Sequence, residues 1–237
     1  MLILRKGIKY NFTRRTHSGR QHGVEVPEGG LLMASKRNQS LLRMVQLAIL
    51  TAVVLVLQAA GIVIKIPILG TPVSLVLIPI ALGAMILGPA AGAWLGFVFG
   101  LEVYIQCGVM GLDPFTAFLF NANPVITAGI CLVKSTLAGY LAGVIYRLLS
   151  KKNELLAVFL AAAVTPVVNT GVFVLGCFVI FDTISAFAES INYGKNAVHF
   201  IFIGCAGINF IFEFIINMIF APSLQRIIHL VGKKVRR

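Results

Sequence analysis

The sequence predicts an all-α integral membrane protein, a compact bundle of six transmembrane helices with both termini in the cytoplasm. Three observations carry this. Hydrophobic residues make up 58% of the 237 and charged residues only 12%, whereas a soluble domain carries about 45–50% and about 25%, so too few charges remain to cover a water-facing surface. The charges are also segregated, because Ile66 to Leu101 and Leu155 to Phe181 contain none. Finally, Lys and Arg cluster beside the apolar runs, as cytoplasmic segments of membrane proteins do. A soluble enzyme and a disordered chain are excluded, as is an outer-membrane barrel, whose strands would alternate polar and apolar residues.

Taken in order, residues 1 to 33 form a polar tail with Arg5, Lys6, Lys9, Arg14, Arg15 and Arg20. They lack the apolar core of a secretory signal. Codons for Glu28-Gly29-Gly30 can spell GAAGGAGG, a ribosome-binding sequence just upstream of Met33. Two readings stay open: a natural basic tail, or a true start at Met33.

Residues 34 to 237 form the membrane domain. Its first span covers about 44–64, 21 residues without charge, or about 31 Å of helix and one bilayer crossing. The 36 uncharged residues from Ile66 to Leu101 would make about 54 Å, too long for one crossing. Gly70-Thr71-Pro72 and Gly88-Pro89 break the run into an outer segment, a second span near 72–87 and a third near 89–107. The second is short and contains Pro79, which leaves it kinked or incompletely spanning. Gly108 to Pro124 reads as a turn-rich outer loop with room to fold back on the bundle. The fourth span lies near 125–146, the fifth near 155–181 with Pro166 inside it, and the sixth near 198–222. Asp182 to Asn196 is a further outer loop.

Orientation follows from charge. The segments Met33 to Arg43, Arg147 to Glu154 and Leu224 to Arg237 hold 11 Lys or Arg, and the opposite set holds two, Lys65 and Lys195. This places both termini inside. It also accounts for the +12 net charge without a nucleic-acid partner. Cys107, Cys131, Cys177 and Cys205 form no CxxC pair and have no His at ligand spacing, so they read as small buried hydrophobes and no metal or cofactor is expected.

Ala48 and Ala52 lie one turn apart on the first span, a spacing that lets another helix approach closely. Gly88, Gly92, Gly96 and Gly100 recur every fourth residue of the third and make a continuous groove, for packing inside the bundle or against another subunit. Polar groups inside the spans say more, since a charge at bilayer depth costs at least about 2.5 kcal/mol and needs a compensating role. Lys134 lies nine residues after Val125, about 13 Å below the outer surface. Asn209 matches its depth, Asn169 falls near the middle of the fifth span, and Asn209, Glu213 and Asn217 form one stripe at i, i+4, i+8. Two readings remain: a structural Lys134 to Glu213 pair, or a polar solute site using the same groups. Glu102, Tyr104 and Gln106 form a second polar group, as solute ligands or interfacial anchors. Asn121 and Asn123 beside Pro124 either line an entrance or cap a helix. His199 and His229 lie at span ends as interfacial residues.

No phosphate loop, HExxH motif, paired acidic motif or Ser/His/Asp set is visible. The chain resembles the substrate-binding S component of energy-coupling factor (ECF) vitamin importers. The features that carry the resemblance are the six-span layout, Ala48-x-x-x-Ala52, the segment IALGAMILGPAAGAWLGFVFG (Ile80 to Gly100), LVKSTLAGYLAG (Leu132 to Gly143) with its lysine, and the polar fifth and sixth spans. The resemblance implies a vitamin bound in an outward cavity under flexible outer loops, the one at Ile66 to Pro72 acting as a lid. It implies a membrane coupling subunit and two cytoplasmic ATPases as partners in the bacterial cytoplasmic membrane, and no enzymatic activity in this chain. By the same resemblance Ala48 and Ala52 contact the coupling subunit. Met33-Ala34 lacks the histidine of metal-specific relatives, against nickel or cobalt. Riboflavin, pantothenate and folate stay open as substrates, and a self-sufficient carrier or channel and a membrane enzyme stay open as other classes.

Overall fold

The computed structural model describes residues 28–63, 75–194 and 196–235. Most of the basic tail and the segment read as a lid therefore lie outside the described residues. No strand occurs among the described residues. The chain divides into two units, Met1–Leu42 and Arg43–Arg237; the first holds the beginning of the long helix α1 (Glu28–Val63), and everything that follows concerns the second.

Two features of the backbone separate α2 (Leu77–Leu87) from α3 (Pro89–Val103). Gly88 has φ 106°, a conformation that side chains with a Cβ rarely adopt, and Pro89 fits the first helical turn, where no amide donor is needed. α3 runs on into a π-helical segment, Tyr104–Val109. Then come α4 (Pro114–Ala122), α5 (Pro124–Leu149), α6 (Glu154–Val179), α7 (Phe181–Ser190) and the three-residue α8 (Ala197–His199). A second π-helical segment, Phe200–Gly207, leads into α9 (Ile208–Val235).

Among the described residues, five stretches are long and apolar enough to cross a membrane: Gln39–Gly61, Pro89–Val109, Pro124–Leu149, Glu154–Val179 and Ala197–Leu230. The expected second span, near 72–87, is not among them: α2, its described helix, has 11 residues, about 16 Å against a hydrocarbon core of about 30 Å. Two expected loops also contain helix. α4 starts where Asp113 accepts a hydrogen bond from the Thr116 amide at 2.8 Å, with Pro114 next, and that cap satisfies one orphan donor of the first turn. α7 buries Ile184, Phe187 and Ala188 while Asp182 and Glu189 lie on its polar side, so its charges mark one face of a helix.

Glycine sets the tightest packing. A Cβ added to Gly92 would run into the Gly139 carbonyl oxygen, one on Gly96 into that of Ser135, and one on Gly100 into that of Cys131. α3 and α5 thus meet backbone to backbone, a contact that only residues without side chains permit. Val54, Val76, Leu77, Ile80, Leu95 and Phe99 form one core cluster, and Ala81, Met85, Val158, Ala161, Ala162, Ala221 and Leu224 a second. A third, around Leu119, Cys177, Ile184, Phe187, Phe200 and Ile201, ties α4 and α7 to α6 and the second π-helical segment.

Candidate functional site

A cavity of about 300 Å³ lies between the first and third of these clusters, taking Phe99 from one and Phe187 and Phe200 from the other. Its polar groups come from separate helices: Gln58 from α1, Lys134 from α5, Asn169 and Thr170 from α6, Asn209 and Glu213 from α9. Lys134 stands ten residues after Pro124 and Asn169 ten before Val179, so both sit about 15 Å inside their helices from the end that carries α4 and α7. There Asp113, Pro114, Phe115 and Thr116 close part of the cavity wall.

Glu213 and Asn169 are 2% and 6% exposed. Oε1 of Glu213 accepts a hydrogen bond from Asn209 Nδ2 at 3.1 Å, and its backbone carbonyl accepts one from Asn217 at 2.8 Å. Its Oε2 and the Oδ1 of Asn169 are buried without a partner. Lys134 points its ammonium at the Phe173 ring, 5.0 Å from the centroid, an attraction of the cation for the ring face. No ion pair between Lys134 and Glu213 occurs among the described residues; the pair that does occur there joins His229 to Glu154 at 3.5 Å. The Lys134 charge nonetheless acts on the Glu213 carboxyl.

Phenylalanines supply the apolar wall. Phe115 meets Phe173, Phe187 and Phe200 edge to face at 6.2, 5.1 and 6.0 Å, the geometry that aromatic quadrupoles favour. Both π-helical segments border the cavity, through Cys107 and through Gly204, Cys205 and Ala206. Such segments widen a helix by one residue per turn and recur at functional sites.

Four residues singled out in the sequence, Lys134, Asn169, Asn209 and Glu213, thus meet at one cavity, and four do not line it. Gln106 donates to Glu102 at 2.9 Å, one turn away on the same helix. Asn123 caps α5 by accepting from the Ile126 amide at 3.1 Å, and Asn121 is exposed. Gln58, Asp113, Thr116, Thr170 and the phenylalanines were not anticipated. Gln58 carried a legible signal, as a polar residue deep in an apolar span. Among the described residues no cluster of three or more His, Cys, Asp or Glu is placed to hold a metal ion. Ala48 and Ala52 lie on an exposed face of α1, opposite Leu47, Leu50, Val54 and Leu57, which pack inward.

Residues 42–224 match the family described as the substrate-specific component of ECF transporters. The chain belongs to that family. No curated protein and no solved structure matches the chain. An ECF substrate-specific component is the substrate-binding subunit of a transporter and not an enzyme, and it works with an ECF module. The apolar helices make this one a multi-pass membrane protein. A membrane subunit of this kind needs an interior binding cavity, and an aromatic-walled cavity with a few convergent polar groups has the character of a small-molecule site.

Proposed function

We propose that this substrate-specific component binds a water-soluble vitamin of the riboflavin, pantothenate or folate class in the aromatic-walled cavity and delivers it across the bacterial cytoplasmic membrane. Lys134, Asn169, Asn209 and Glu213 hold the solute. The observation that carries this is the convergence of buried polar side chains from α5, α6 and α9 on one cavity, since polar groups at bilayer depth are costly unless they serve a ligand or one another. Both termini and the turn carrying Lys151 and Lys152 face the cytoplasm, so the cavity opens outward beneath α4 and α7. α2 completes a six-helix bundle. Energy comes from a membrane coupling subunit and two cytoplasmic ATPases, and the exposed Ala48 and Ala52 form the face that meets the coupling subunit.

The test separates binding from transport. Reconstituted alone, the protein binds its vitamin but does not concentrate it in liposomes containing ATP; concentrative uptake by the chain alone would instead mark a self-sufficient carrier, and chemical turnover of the ligand an enzyme. With the partner subunits added, Ala48→Trp and Ala52→Trp together abolish uptake and leave binding unchanged, because bulk on a close-packed helix face blocks its partner. Normal uptake by that correctly inserted variant would remove the alanine face from the coupling surface.

A further inference from the structure

The cavity carries an asymmetry that constrains what it binds. At its α6 and α9 wall, Glu213 Oε2 and Asn169 Oδ1 are both buried acceptors with no donor. At its α5 wall, Lys134 sets its ammonium over the Phe173 ring, and its charge acts on Glu213 without a close ion pair. Leaving a buried acceptor unsatisfied is expensive, and two acceptors on one cavity call for one ligand that brings donors to both. A primary ammonium ligand would supply donors but would share the cavity with the Lys134 charge. Phenylalanine walls, with Phe115 set edge-on against Phe173, Phe187 and Phe200, offer ring faces and edges that an aromatic ring can meet.

We infer that the solute is a planar nitrogen heterocycle whose edge presents an amino group beside a ring N–H, a 2-aminopyrimidinone edge, to Glu213 and Asn169, with an acceptor turned to Lys134. This rests on the vitamin-binding reading of the cavity and narrows it. The two amino hydrogens provide one donor for each free oxygen, and the ring N–H provides a second for the carboxylate, which has capacity left because Asn209 occupies only Oε1. Of the three vitamin classes, the pterin head of folate has this edge. Riboflavin places its one ring N–H between two carbonyls, which would face the two free acceptors oxygen to oxygen. Pantothenate has no ring for the aromatic walls.

The experiment measures affinity of the full-length protein in detergent for folic acid, its 2-desamino analogue, riboflavin and pantothenate. Folic acid is expected to bind tightest, and loss of the 2-amino group to weaken binding about ten- to a hundredfold, the range for a hydrogen bond to a charged group. This comparison needs no variant, so it does not depend on a mutant folding. In Glu213→Gln the same analogue pair is expected to differ much less, because the charged partner is gone. Tighter binding of riboflavin or pantothenate, or equal binding of folic acid and its desamino analogue, would overturn the donor-edge assignment and leave vitamin import standing. Failure of all three vitamins to bind would overturn the vitamin reading itself.

Discussion

Helix α5 presents two neighbouring faces with opposite physics. Toward α3, Cys131, Ser135 and Gly139 bring their backbone carbonyls to positions that a Cβ on Gly100, Gly96 and Gly92 would strike. Toward α6 and α9, the same helix extends Lys134 into a cavity of about 300 Å³ whose far wall holds two unpartnered acceptors. The first face is closed and satisfied within the chain. The second is open and polar, with Glu213 Oε2 and Asn169 Oδ1 unpartnered within the chain. In a bilayer, where apolar surface gains little by leaving lipid, close packing supplies the association energy. The glycine seam thus supplies rigidity that a polar cavity beside it cannot.

The sharpest way to break the contrast is to fill the seam. Gly96→Leu puts a side chain where the Ser135 carbonyl stands, and the two helices must separate, since a backbone atom cannot rotate away as a side chain can. Overpacking costs about 1–3 kcal/mol even where side chains yield, so the loss here is expected at or above that range. Thermal melting of the purified variant checks it, together with loss of ligand binding as the cavity wall shifts. An unchanged melting temperature would show that the seam is not a rigid contact.

Much of this architecture was legible because a membrane span needs a long uncharged run, and Gly88-Pro89 marks its break with residues whose backbone rules are local. The helices read as loops were harder. In α7 the charges of Asp182 and Glu189 share a segment with Phe187, and polarity alone does not separate an amphipathic turn of helix from a solvated loop. For α4 a local signal existed in Asp113-Pro114, a cap followed by proline, but turn-forming residues around it pointed the other way. At the cavity, depth along each helix brought Lys134, Asn169, Asn209 and Glu213 to one level. Depth does not give rotation about the axis, which is why Glu102 and Gln106 were offered as solute ligands although they do not line the cavity. The phenylalanine walls depend on contacts among α4, α6, α7 and the second π-helical segment, and no local pattern encodes those.

The second face is tested at Lys134. Lys134→Met keeps the length of the side chain and removes its charge, and ligand affinity should fall by about 1.5–3 kcal/mol, the worth of a hydrogen bond to a charged group. Thermal stability without ligand should fall by less than ligand affinity, because the lysine acts on Glu213 at longer range than a close ion pair. The double variant with Glu213→Gln should not regain affinity, since each residue meets the solute separately. Restored affinity in the double variant would return the two residues to a structural pair and remove them from the site.

The smallest effect comes from glycines of the same helices that lie off the seam. An added Cβ at Gly129 in α5 or Gly171 in α6 meets nothing within 4 Å, and both positions are exposed. Replacing a helix-interior glycine by alanine removes conformational freedom from the unfolded chain and is worth about 0.5–1 kcal/mol where no clash intervenes. Gly129→Ala should therefore leave melting unchanged or raise it slightly, while Gly139→Ala, ten residues along the same helix, should lower it because its Cβ meets the Gly92 carbonyl oxygen. Opposite signs for one chemical change on one helix isolate packing from propensity. Should Gly129→Ala destabilise the isolated protein as much as Gly139→Ala, the close-packed surface of α5 would extend beyond the α3 seam, and the division between its two faces would fail.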